Sequence, residues 1–347
     1  MRIQSFKYIT VVILALAVLC SCQDEDKTFG PVTTPTNLQL DIQIVGQDDE
    51  NPFGDGSGVV NFELSADNAL AYRFTFGDGS GMQLADNGEI SHRYVVQGVN
   101  TYVVTAIASG TGGVTSSETF EVTVFSAFDD VEARSFLTGA PLTQDDDGND
   151  IIDVDEPYSK TWYVASAANG HLGVGPSEAF DIEINGQPSQ FYFPAFFAAP
   201  PGTYCGEPGE DLHCFYTDEL TFTLLPDGNV LTYVLNNNGE TFFNGGHTGI
   251  VGGGGEGCYE FDTSGTSIVG LSPSAIDWSQ LPEDATLVPR ETRLLFSGDN
   301  FMSYYVTASE YEILEISNDE LWVRCDDGID GNLAWYFRFS TTPASCD

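Results

Sequence analysis

The sequence predicts an all-β protein, and three observations carry that prediction. Short runs alternate apolar and polar residues with period two, 37 Gly and 16 Pro punctuate them, and stretches of helical period are scarce. The 347 residues suffice for about two domains. With 24 Phe, 15 Tyr and a hydrophobic fraction of 41%, the chain can build cores that a disordered chain lacks. The expected order is a smaller antiparallel sandwich over residues 38–126, then a larger β-sandwich or jelly-roll-like domain over residues 127–347.

Charge narrows the partners. Eleven Lys and Arg stand against 52 Asp and Glu, a formal net charge of −41. Nucleic acid is excluded on this ground, because the field repels phosphate and few cations exist to displace its counterions. Anionic membrane surfaces are disfavoured for the same reason.

At the N-terminus Arg2 and Lys7 precede the apolar run Tyr8 to Leu19, followed by Cys20, Ser21 and Cys22. That is the charged, apolar, small-residue order of a secretory signal, and twelve apolar positions are too few to span a bilayer. Leu19-Cys20-Ser21-Cys22 resembles a bacterial lipobox, which implies removal of residues 1–21 and a lipid anchor on Cys22. The acidic QDEDK that follows resembles the surface-export signal of Bacteroidetes lipoproteins, implying the outer membrane and the cell surface. Residues 22–37, with Pro31 to Pro35 (PVTTP), read as an extended tether.

The first strand runs are LQLDIQIV, VVNFELSA, YRFTFGDGS, TYVVTAIA and ETFEVTVF. Two stretches resemble the PKD family of immunoglobulin-like domains: Tyr72 to Ser80, with its FGDG core, and Ile90 to Tyr94 together with Asn100 to Ala106. The resemblance implies an immunoglobulin-like spacer module. Gly77 and Gly79 allow positive φ around Asp78, whose carboxylate can cap the turn, so Asp78 and His92 read as turn and core residues.

In the second domain the strand candidates are residues 161–166, 180–184, 220–225, 230–235, 293–297, 311–317, 320–325 and 334–340. Only Ser274 to Leu281 looks helical. Phe136 to Gly139, Ser159 to Tyr163, Gly170 to Pro176, Asp218 to Phe222 and Tyr311 to Ser317 resemble the C-terminal domain that follows PKD modules in surface lipoproteins linked to SusC/SusD-type glycan importers. The resemblance implies a surface protein that binds a polysaccharide, a β-glucan such as laminarin, near an import complex. Relatives carry paired Trp where this chain reads Phe193 to Pro200.

The residues themselves supply binding candidates. Gln190 to Tyr204 packs six aromatics among prolines and alanines, and the prolines exclude it from a central strand. Exposed apolar area of that kind is a binding surface or is folded under, and flat rings suit the apolar faces of sugars. Phe191, Tyr192, Phe196 and Phe197 are the stacking candidates, with loop packing the alternative. Trp278 joins them from its loop, and His171 sits in a Gly-rich turn where it touches either sugar or backbone. Trp162, Trp322 and Trp335 alternate with apolar neighbours and read as core.

Asp145, Asp147, Asn149, Asp150 and Asp153 form an acidic, Gly-containing stretch that suits calcium or a solvated loop, although its spacing does not fit the EF-hand. Beyond Cys20 and Cys22, five Cys permit two disulfides and one orphan. Cys205 with Cys214 is the first expectation and Cys325 with Cys346 the second. No zinc motif, nucleophile elbow, P-loop or complete E-x-D-x-x-E glycosidase strand occurs; Glu310, Glu312 and Glu315 come nearest. The expected function is therefore non-enzymatic binding of a neutral polysaccharide, with a structural or adhesin-like surface protein and a β-sandwich glycosidase as alternatives.

Overall fold

The computed structural model describes residues 31–206, 213–226 and 230–346. The signal segment, Cys22 and most of the tether lie outside the described residues.

Seven strands make the first unit: β1 (Thr36–Ile44), β2 (Val59–Asp67), β3 (Ala71–Thr75), β4 (Met82–Ala85), β5 (Glu89–Arg93), β6 (Gly98–Ser109) and β7 (Thr115–Ser126). They form a three-stranded sheet, β1-β2-β5, facing a four-stranded one, β4-β3-β6-β7. The alternation dictates this. Val60, Phe62 and Leu64 of β2 are buried while Asn61 and Glu63 are exposed, and the inward set meets Phe74, Val104 and Val122 from the opposite sheet. The turn after β3 holds Gly77 at φ 78°, where a Cβ would strike the Val103 carbonyl. There Asp78 accepts the Ser80 N–H and lies 2.7 Å from His92 Nε2.

The larger unit is a barrel rather than the expected sandwich or jelly roll. Its strands are β10 (Tyr158–Val164), β13 (Glu219–Leu224), β14 (Leu231–Asn236), β17 (Ser267–Pro273), β18 (Thr292–Phe296), β19 (Glu310–Ile316), β20 (Glu320–Asp326) and β21 (Leu333–Ser340). Each pairs antiparallel with the next, and β21 returns to β10 through Tyr163–Ser340 and Val164–Phe339, which closes the ring. An inward/outward alternation is common to barrels and sandwiches, so only this long-range pairing distinguishes them. Trp162, Phe222, Tyr233, Tyr311 and Phe337 fill the interior. Shorter pairs decorate the barrel: β8 (Thr143–Gln144) with β9 (Asp150–Ile151), and β15 (Glu240–Phe243) with β16 (Gly257–Glu260). Two further strands, β11 (Leu172–Pro176) and β12 (Phe197–Ala198), add onto β21.

Among the described residues two eight-residue helices interrupt this β framework. Val131–Thr138 is capped by Asp130, which accepts the Ala133 N–H, and ends at Gly139 in the left-handed region. Residues 180–184, expected to be a strand, lie in a second helix, Glu178–Asn185, with Ser177 as its N-cap and Gly186 as its left-handed stop. Ser274 to Leu281 contributes only a 3-10 turn, Trp278–Gln280. Among the described residues no helix is long and apolar enough to cross a membrane.

The disulfides differ from those expected. Cys205 joins Cys346, and Cys214 joins Cys258. Cys214 opens a helical turn packed on β15, whose hairpin partner β16 carries Cys258. Cys325 points into the barrel interior, buried and free.

Candidate functional site

Strands β19, β20 and β21 of the barrel are each buried on both faces over part of their length. Along β21, Trp335 and Phe337 point inward, while Ala334 and Tyr336 join a second apolar cluster on the outside with Phe191, Trp278, Leu287 and Leu314. A bulge at Leu314 of β19, between the pairs Ile313–Val323 and Glu315–Trp322, leaves both Leu314 and Glu315 on the outer side of the barrel. The outer cluster is roofed by the segment around Trp278 and by the start of the aromatic loop, so this wall of the barrel is packed on both sides.

The loop is pinned at its first residues. Asp181, fully buried in the second helix, accepts the backbone N–H groups of Ser189, Gln190 and Phe191 and the side-chain amide of Asn185. The Phe191 carbonyl in turn accepts from buried Arg324 Nε at 3.1 Å and from the Tyr336 hydroxyl. Further along, the loop lies directly on β11. A Cβ on Gly173 would come within 2.4 Å of Pro194, and one on Gly175 within 2.7 Å of the Phe193 carbonyl. The two glycines of the Leu172–Pro176 motif are thus explained by close backbone approach.

Beyond this anchor a groove of about 300 Å³ opens, lined by Tyr192, Phe193, Thr286, Leu287, Glu315 and Trp322. Tyr192 and Phe193 meet edge to face at 4.9 Å, and all three aromatic residues are half-buried. On β20, Trp322 faces away from the barrel interior. Its cross-strand partner Arg338 places its guanidinium 3.9 Å from the Trp322 ring centroid, which fixes the indole plane. Burial lowers the Arg338 pKa, opposed by Glu315 and Glu320. Burial also raises the Tyr192 hydroxyl pKa, with Asp284 adding to it.

The expected site residues divide. Tyr192 lines the groove. Phe191, 0% exposed, lies beneath it and packs 5.6 Å from Trp278, itself buried with its indole N–H on Ser274 Oγ. Neither can stack on a ligand, because the loop folds their rings into the outer cluster. His171 is likewise buried, between the Ala168 carbonyl and the Tyr216 hydroxyl at 2.8 Å each, and burial lowers its pKa. Phe196 and Phe197, 51% and 46% exposed, stand on the β12 edge and do not line the groove. Phe193 and Trp322 were not foreseen; the alternation of β20 is shared by core and binding residues, and only the cross-strand Arg338 marks Trp322 as different.

The acidic stretch forms the β8–β9 hairpin. Asp145 accepts the N–H groups of Asp147 and Asn149 and the Asn149 side-chain amide, and these bonds hold its carboxyl below the usual range. Asp147, Asn149, Asp150 and Asp153 are exposed. Among the described residues the one group at metal-ligand spacing is His213, Cys214 and Cys258, and both of its sulfurs belong to a disulfide. The three glutamates of β19 separate: Glu310 pairs with Arg293, Glu312 is buried and accepts the Ala275 N–H, and Glu315 lines the groove.

No family model matches the chain, and comparison with curated proteins returns no match. Among solved structures, the PKD1 domain of Vibrio anguillarum Epp is 17% identical, with 28% of this chain and all of that one covered at a TM-score of 0.21. The PKD1 domain of the Vibrio cholerae metalloprotease PrtV is 15% identical over 27% of this chain and all of its own, also at 0.21. A structure described for the promiscuous specificity of carbohydrate-binding modules from the β-sandwich superfamily is 12% identical, covering 91% of this chain and 95% of its own at 0.22. At these identities and TM-scores the likenesses carry no functional weight, and the groove is judged on its own geometry.

Proposed function

We propose that this protein binds a neutral polysaccharide in the groove formed by Tyr192, Phe193 and Trp322. One observation carries the reading: three half-exposed aromatic residues from two distant segments line one open groove on a wall backed by a second apolar cluster. Rings held this way stack on the apolar faces of sugar rings, while the Tyr192 hydroxyl and the Glu315 carboxylate offer hydrogen bonds at the edge. A net charge of −41 favours a neutral glycan over a polyanion. A β-glucan such as laminarin is the first candidate, by the sequence resemblance. The lipobox-like stretch ending at Cys22 and the acidic residues after it support a lipid-anchored position on the outer surface, where the protein would hand glycan to a SusC/SusD-type importer.

Affinity electrophoresis of the full chain against a panel of neutral and anionic polysaccharides tests this. Retardation by a neutral glycan, abolished in Trp322→Ala, is expected. Retardation by none, or only by anionic ones, overturns it.

A further inference from the structure

The loop between β18 and β19, which carries Thr307, is drawn onto β15 by a parallel bridge between Tyr305 and Phe243 and by the Asn244 N–H on the Tyr305 carbonyl. The Gly328 N–H donates to the Val306 carbonyl, which brings the turn after β20 against the same loop. Three residues distant in sequence meet there. His247, buried in the 3-10 turn Gly245–Val251, places Nδ1 2.7 Å from the Thr307 hydroxyl and Nε2 3.0 Å from Asp327 Oδ2. Asp327 is buried as well, whereas Thr307 is exposed.

The contacts of Asp327 fix where the proton lies. Its Oδ1 accepts the N–H groups of Ile329 and Asp330, and its Oδ2 accepts the Trp335 indole N–H at 2.9 Å. Burial opposes the charge, yet these donors and His247 together hold the carboxyl below the usual range. A carboxylate can only accept, so His247 Nε2 carries a proton, and in the neutral imidazole the bare Nδ1 accepts from the Thr307 hydroxyl. His171 is held differently, between a backbone carbonyl and the hydroxyl of buried Tyr216. His247 instead turns its basic nitrogen to a hydroxyl that solvent reaches. Thr307 also holds φ 56°, a left-handed conformation strained for a β-branched residue. Close packing maintains it, since a Cβ on Gly328 would lie 2.1 Å from the Thr307 carbonyl oxygen.

We propose that Thr307 as nucleophile, His247 as base and Asp327 as positioning residue hydrolyse small acyl esters. The Thr307 oxygen bonds to the acyl carbon as its proton passes to His247 Nδ1; the ester C–O bond then breaks and the leaving alcohol takes that proton. Water attacks the acyl-threonine in the same way, and His247 returns the proton to Thr307 as the carboxylic acid leaves. Ester and water thus give acid and alcohol. Asp327 acts through His247, keeping Nε2 protonated and stabilising the imidazolium that forms. The Ala308 N–H follows the nucleophile in the chain, donates to no group among the described residues, and is the donor assigned to the developing oxyanion. Exposed Ile250 and Ile329 belong to the same turns as His247 and Asp327, which favours a short alkyl chain on the acyl group. The three residues share nothing with the aromatic groove, and the proposal does not rest on the glycan reading.

Steady-state hydrolysis of 4-nitrophenyl acetate and 4-nitrophenyl butyrate by the full chain tests this, with acid-quenched protein mapped by mass spectrometry. Saturable turnover and an acyl group on the peptide containing Thr307 are expected. Thr307→Val keeps the shape of an exposed side chain and should lower kcat by about a hundredfold or more, while Thr307→Ser stays within about tenfold of the parent. Asp327→Asn should lower kcat by about tenfold or more with KM unchanged, and Trp322→Ala should change neither. Circular dichroism establishes that each variant is folded; should Asp327→Asn fail to fold, Thr307→Val and the acyl map decide. The proposal is overturned if neither ester is turned over, if folded Thr307→Val hydrolyses them like the parent, if the trapped acyl group sits on another residue, or if folded Asp327→Asn keeps the parent's kcat.

Discussion

The Asp181 carboxylate accepts the Gln190 backbone N–H at 2.6 Å, and through that bond a helix holds the entrance of the aromatic loop. Ser189 and Phe191 share the same carboxylate oxygen. Replacing Asp181 by Ala strands three backbone donors near the outer cluster, each costing about 1–3 kcal/mol when left unmade. Asp181→Ala is expected to lose about 3 kcal/mol or more in urea unfolding. Asp181→Asn, which keeps an acceptor oxygen, should lose less. An unchanged midpoint for Asp181→Ala would show that the loop is held by its apolar contacts alone.

Trp322 and the pair Phe196 and Phe197 separate two placements of the binding surface. Phe196 and Phe197 are the more exposed, yet Phe197 opens the two-residue strand β12 with Phe196 just before it, away from the groove lining. Trp322→Ala should lower affinity for the retained glycan at least tenfold. The Phe196→Ala, Phe197→Ala double variant should leave it within about twofold, a difference of about 0.4 kcal/mol on the affinity scale. The reverse order in affinity electrophoresis would move the site to β12.

The disulfides give a prediction that mass spectrometry settles. Non-reducing peptide maps should contain Cys205 linked to Cys346 and Cys214 linked to Cys258, with Cys325 unreactive to alkylation until the chain unfolds. The bridges span 141 and 44 residues, so loop-closure entropy assigns about 5 and about 4 kcal/mol respectively to their removal. Cys346→Ser should therefore lower the melting temperature at least as much as Cys258→Ser. A Cys205–Cys214 peptide would contradict the pairing.

What could be read from the residues alone was local. Val60, Phe62 and Leu64 announce a half-buried strand because alternation is a property of neighbours. Phe180 to Ile184 alternates as well, and there the deciding signals were Ser177 and Gly186, the helix caps on either side. Closure of the barrel depends on Val164 meeting Phe339, and the disulfides on chain ends that approach only in the fold. The aromatic loop was visible as a composition, but burial of Phe191 and exposure of Phe193 come from the Asp181 and Arg324 anchors, which no spacing encodes.

Asp218 links stability to pH. It is fully buried with one oxygen accepting from Ser303 and the other unpartnered among the described residues, and burial raises its pKa well above the usual carboxylate value despite that hydrogen bond. The folded state therefore keeps this proton at pH values where the unfolded chain has released it. Between the ordinary carboxylate pKa of 3.8 and the raised one, the folded state binds more protons, so stability contributed by this group falls as pH rises. The slope cannot exceed about 1.4 kcal/mol per pH unit for a single proton. Asp218→Asn carries no titrating proton and retains an oxygen for Ser303, so its melting temperature should decline less than the parent's from pH 5 to pH 8. Parallel curves would mean that Asp218 reaches water in the folded state and titrates normally.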